Sequence, residues 1–151
     1  WQLSYWHIFS SSDMIHFSTE QVEMPALNQY KLQRWIRAVA ADYGFSVGDI
    51  HYIFCSDEKE LEVNRTFLQH DYYTDVITFD YSTEDVINGD IFISLDTVRS
   101  NAEEVGADFK EELMRIIIHG VLHLTGQADK TPETKAEMTR KENLALAKLP
   151  R

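Results

Sequence analysis

The stretch ADFKEELMRIIIHGVLHLTG, Ala107 to Gly126, constrains this chain more than any other. Ile116, Ile117, Ile118, Val121, Leu122 and Leu124 leave a helix so little polar surface that it must be the central core helix of the fold, with Met114 buried alongside. Two imidazoles interrupt this apolar surface. His119 and His123 stand four residues apart and so share one helical face, one turn from each other. Gly126 can take the left-handed conformation that ends the helix, and the chain that folds back brings Asp129 toward the same point.

The elements around that helix read as an α+β domain with a small mixed sheet of about four strands, packed against helices. Met14 to Ser18 is a short strand, and Leu32, Trp35, Ile36, Val39 and Tyr43 mark a helix that stops at Gly44. DIHYIFCSD is a strand with Ile50, Tyr52 and Phe54 alternating against His51, Ile53 and Cys55. Ser56 and the acidic residues after it open a helix through Leu61 and Phe67. Thr74 to Tyr81 and Gly89 to Ser94 are strands expected to pair antiparallel, with Asn88-Gly89 as the turn signal between them. LDTVRSNAEEVG is an amphipathic helix stopping at Gly106, and Asp108 is placed to cap the central helix. Thr131-Pro132-Glu133 opens a last helix running to about Leu149. No repeat or interdomain linker appears, so residues 14–151 read as one domain, with Met14 as its natural start and residues 1–13 as a loosely ordered extension.

Composition narrows the setting. A single cysteine, Cys55, excludes an internal disulfide framework and suits a reducing compartment. No apolar run is long enough to cross a bilayer, because His119 and Gly120 break the best one, and a cytoplasmic protein is expected. The formal charge of −11 argues against coating nucleic acid by bulk electrostatics. That charge is uneven: through Phe109 there are 6 Lys/Arg against 19 Asp/Glu, and from Lys110 onward 8 against 6, so the histidine-bearing part is the less acidic.

A lone histidine in an apolar helix is ordinarily a satisfied core residue. Two at this spacing, with a helix-ending glycine and a carboxylate close behind, point instead to a metal site with His119, His123 and Asp129 as ligands. Three protein ligands leave a fourth position for water, the mark of a catalytic zinc site. The spacing also suits a metallohydrolase of peptide or amide bonds, but HExxH enzymes carry a glutamate base where this chain has Gly120. A third alternative, a non-catalytic module with a structural zinc, requires a fourth protein ligand to close the site.

The same residues resemble a known family. HGVLHLTGQAD, His119 to Asp129, is similar to HGxLHLxGxDH, the signature of the YbeY family of metal-dependent endoribonucleases, which act in ribosomal RNA maturation. TDVITFD, Thr74 to Asp80, is similar to that family's TDVLSFP, and GDIFIS, Gly89 to Ser94, to its GDIxIS. LEVNRTFLQHD, Leu61 to Asp71, occupies the place of the segment before TDV, and the likeness extends from about Met14 to the end.

The resemblance implies an endoribonuclease that hydrolyses phosphodiester bonds by a metal-bound water, with one Zn²⁺ or another divalent ion as cofactor. It implies ribosomal RNA and the small ribosomal subunit as partners, reached through a ribosomal protein or an assembly GTPase. Two departures stand out. Asp129 replaces the family's third histidine, a change that keeps a ligand and can shift metal preference. Leu68 follows Phe67 where the family's LNxxYR segment has an arginine, a candidate phosphate contact. Arg65 or His70 could substitute for it, and Asp75 or His70 could act as an acid beside the metal. Arg65 reads equally well as a solvated surface residue, and Asp75 as a residue that orients the loop before its strand.

Overall fold

Four strands, β1 (Ile15–Glu20), β2 (Ser46–Cys55), β3 (Val76–Asp80) and β4 (Val86–Ser94), form one sheet in the order β1-β2-β4-β3. The computed structural model describes residues 14–68 and 75–150, apart from the side chain of Leu68; the extension over residues 1–13 and the candidate His70 lie outside the described residues. β1, β2 and β4 run parallel, and β3 pairs antiparallel with β4, so the sheet is mixed as expected. Parallel neighbours need crossovers. Helix α1 (Gln29–Asp42) carries β1 to β2, and α2 (Asp57–Val63), followed by a π-helical turn over Asn64–Leu68, leads away from β2. Helices α3 (Leu95–Val105), α4 (Phe109–Leu124) and α5 (Pro132–Ala147) complete the described chain.

The core forms where the sheet meets α1, α4 and α5. Ile50, Tyr52 and Phe54 of β2 and Ile87, Ile91 and Ile93 of β4 are fully buried, together with Ile36 of α1 and Ile117, Ile118 and Leu122 of α4. Tyr52 donates its hydroxyl to the Ile117 carbonyl at 2.9 Å, which pins the middle of α4 to the sheet. Gly120 lets the two approach: a Cβ added there would stand 2.8 Å from Ile91 Cδ1 and 3.2 Å from its Cγ2.

Several local expectations change. Asn88-Gly89 is not a turn but lies inside β4, and the connection from β3 runs through residues 81–85. The register of β2 against β4 shifts between Val47 and Ile50, and Asn88 Oδ1 accepts from the Asp49 N–H at 2.8 Å in that irregularity. Gly89 has a separate reason to lack a side chain, since a Cβ would meet the Phe79 carbonyl at 2.6 Å and Leu124 Cδ2 at 2.9 Å. β2 begins at Ser46, and Ile53 and Cys55 are buried as well as the alternate set, because α2 and α3 rise from the ends of β2 and β4. The helix expected from Asp57 through Phe67 keeps its Ser56 cap and acidic first turn but stops being α-helical at Val63. Asp108 occupies the N-cap position of α4 with its backbone only; its side chain makes no capping bond.

Candidate metal centre

The end of α4 is built by a Schellman turn. Gly126 has φ +99°, the Gly126 N–H reaches the His123 carbonyl at 2.9 Å, and the Gln127 N–H reaches the Leu122 carbonyl at 3.1 Å. This reversal does two things. It presents the Gln127 carbonyl to His123, whose Nδ1 lies 3.0 Å away, and it sends Ala128 and Asp129 back along α4. Asp129 Oδ2 then sits 3.4 Å from His119 Nε2 and 3.3 Å from His123 Nε2. The two imidazoles meet edge to face with centroids 4.5 Å apart. Among the described residues, His119, His123 and Asp129 are the only group of three or more His, Cys, Asp or Glu placed to hold one metal ion. These are the three residues expected from the sequence.

An aspartate three residues before Pro132 could also serve as the side-chain cap of the last helix. That role belongs to Thr131, which caps α5 in a reciprocal box with Thr134, with Pro132 in the first turn.

Both outer ring nitrogens are engaged. A carbonyl and a carboxylate only accept, so Nδ1 of each histidine carries a proton, and Nε2, which faces Asp129, is the nitrogen left to give a lone pair to an ion. For His119 the acceptor is Glu142 of α5, with Oε2 2.6 Å from Nδ1. Glu142 Oε1 in turn accepts from Arg115 Nη1 at 2.9 Å. Burial pulls the His119 proton affinity down, but the hydrogen bond and charge of Glu142, with the charges of Asp129 and Asp75, raise it above the ordinary value. His123 is lowered, first by burial and then by the charge of His119, against the opposing pull of Asp129 and Gln127.

The remaining candidates separate. Asp75 stands at the start of β3, partly buried, close enough for its charge to act on His119. Its carbonyl accepts from the Ser94 N–H at 3.1 Å and its carboxylate from Asn101 at 3.3 Å, so it also orients the entry to the strand. Arg65 lies exposed on the π-helical turn and is not among the residues lining the cleft beside the histidines. That cleft, of about 320 Å³, is lined by Val76, Thr78 and Asp80 of β3 and by His123. Cys55 does not join the group; burial and the charge of Glu60 push its thiol up to about 12. Sequence reasoning missed Glu142 and Arg115. One signal was available: Glu142 lies in the stripe with Met138 and Ala145, the buried positions of α5, where a carboxylate is out of place.

Fold and site together define a small α+β protein with three side chains at the end of its central helix placed to hold a metal ion. The sequence profile of endoribonuclease YbeY matches residues 14–150, and the chain belongs to the YbeY family. It is 57% identical over 136 residues to the endoribonuclease YbeY of Parabacteroides distasonis, covering 90% of this chain and 96% of that protein. The endoribonuclease YbeY of Phocaeicola vulgatus is 58% identical over 134 residues, covering 89% and 97%. The solution structure of a Thermotoga maritima protein superposes with a TM-score of 0.67 at 28% identity, covering 90% of this chain and 89% of that one.

Proposed function

We propose that this chain is a metal-dependent endoribonuclease of ribosomal RNA maturation, with one Zn²⁺ held by His119, His123 and Asp129. Family membership supports the endoribonuclease activity and the hydrolase class. The observation that carries the metal reading is the convergence of both Nε2 atoms on Asp129 Oδ2 at 3.3–3.4 Å, with both Nδ1 atoms already engaged. Two nitrogen donors and a carboxylate suit zinc, though such a set also takes other divalent ions. An ion bound there supplies a water of lowered pKa and a Lewis-acid contact for the phosphate.

The chain's own residues set the rest. His119 and His123 serve as ligands and not as proton carriers. β3 forms the wall along which substrate reaches the donors, and Asp75, whose charge acts on His119, is the residue we assign as an acid near them. No closing ligand is found among the described residues, which favours a catalytic over a structural ion. Peptide hydrolysis is disfavoured for a packing reason. The position of the HExxH base is Gly120, and its side-chain direction runs into Ile91.

With Asp80 lining the cleft and a net charge of −11, the protein attracts RNA weakly by itself. Recruitment to the small ribosomal subunit in the cytoplasm, through a ribosomal protein or an assembly GTPase, fits that balance. None of the described helices is long and apolar enough to cross a membrane. The test is metal analysis of the purified protein beside cleavage of ribosomal RNA within small subunits. The parent should hold about one zinc and cleave; His119→Ala and His123→Ala should do neither. A parent that cleaves with no bound or added divalent ion overturns the reading.

A further inference from the structure

We infer that Glu142, held by Arg115, is a positioning residue that aims His119 at the metal; this rests on the metal centre proposed above. Glu142 is 7% exposed, and a carboxylate at that depth needs partners for both oxygens. It has them. Oε2 takes His119 Nδ1 at 2.6 Å and Oε1 takes Arg115 Nη1 at 2.9 Å. Arg115 stands one turn before His119 on α4, and its Nη2 also donates to Asn143 Oδ1 at 2.8 Å. Two neighbouring side chains of α5 are therefore gripped by one guanidinium, which fixes the carboxylate in place.

The two histidines are oriented by different means. His123 hands its Nδ1 proton to a backbone carbonyl, which no substitution removes. His119 hands its own to a full negative charge on another helix. A charged acceptor raises the basicity of the opposite nitrogen and fixes both tautomer and ring plane. The Arg115 guanidinium pairs with the Glu142 carboxylate and so holds it in line with His119. The rival account is that Arg115 and Glu142 only tie α5 to α4.

Cobalt(II), as the bare ion, is titrated into the full chain and into Glu142→Gln, Glu142→Ala and Arg115→Met. Glu142→Ala should lose about 10–100-fold in cobalt affinity, and Glu142→Gln less, since its amide oxygen still accepts from Nδ1. In the cobalt-loaded protein, each histidine should give one exchangeable ring N–H signal shifted by the ion. Glu142→Gln should move one of the two and leave the other. A structural tie predicts lower melting temperatures for the metal-free variants with cobalt affinity and both ring signals as in the parent, and that result overturns the inference. If Glu142→Ala does not fold, Glu142→Gln decides on the same criteria. A parent without cobalt affinity is a different failure: it removes the metal centre, and this inference with it.

Discussion

Replacing Gly120 by alanine sets two effects of known size against each other. An alanine in a helix interior is favoured over glycine by about 1 kcal/mol, so propensity alone predicts a more stable protein. Packing predicts the opposite. The new Cβ would lie 2.8 Å from Ile91 Cδ1 and 3.2 Å from Ile91 Cγ2. Cδ1 can swing, but Cγ2 is fixed to the Cβ of a fully buried residue in the middle of β4, so either strand or helix must move. Overpacking of this kind costs about 1–3 kcal/mol. The net expectation is a loss of roughly 1 kcal/mol, or a melting temperature lower by about 2–4 °C in a chain of this size. Urea and thermal unfolding of the metal-free protein measure it. Ile91→Val removes Cδ1 at a cost of about 0.5–1.5 kcal/mol, and in that background the alanine should cost less. The cycle should show a coupling of at least about 0.5 kcal/mol. His119, His123 and Asp129 all ride on α4 and the turn that ends it, so metal affinity should hardly change. A Gly120→Ala protein that melts higher than its parent, or a cycle that is additive, refutes the close-contact reasoning.

Other substitutions and conditions test the site. Asp129→Ala and Asp129→Asn should both lose metal affinity by more than the ~10–100-fold of a residue that only orients a ligand, while Asp129→His should keep it; isothermal titration with zinc decides, and an Asn variant that binds as the parent does removes Asp129 from the ligand set. Thr131→Ala should cost about 1 kcal/mol in unfolding experiments with zinc affinity intact, since Thr131 and not Asp129 caps α5. In the metal-free protein, the His119 proton should titrate above the ordinary histidine value and the His123 proton below it, followed by NMR. Because the folded value of His119 is raised, its contribution to stability is complete below the unfolded value near ~6.5 and is lost as pH rises through the folded value. A His119 that titrates below the ordinary value contradicts the Glu142 contact. Affinity for naked RNA should be modest and fall with salt, whereas tight binding indifferent to salt would contradict the charge argument.

The grouping of His119, His123 and Asp129 was legible in the sequence because its geometry is local. A spacing of four on a helix and a glycine at its end fix where His119, His123 and Asp129 can meet, whatever the rest of the chain does. The mixed sheet followed from the order of strands and helices, for a similar reason. Glu142 was not legible, because its meeting with His119 depends on how α5 lies across α4, and no spacing encodes that angle. Asn88-Gly89 misled because the pair carries the composition of a hairpin turn. Its real constraints are tertiary: an irregular register with β2 that the Asn88 side chain fills, and the approach of Phe79 and Leu124 to Gly89.

The same locality has a consequence for how the ion and the fold depend on each other. All three donors lie within residues 119–129, so the unfolded chain keeps them in mutual reach, and closing so short a loop costs little entropy. An ion that also binds the unfolded chain stabilises the native state only by the difference between the two affinities. Adding zinc should therefore raise the melting temperature by less than the native affinity alone implies. Chelation should strip the ion and leave the sheet standing, unlike small zinc domains, in which binding the ion is the folding step.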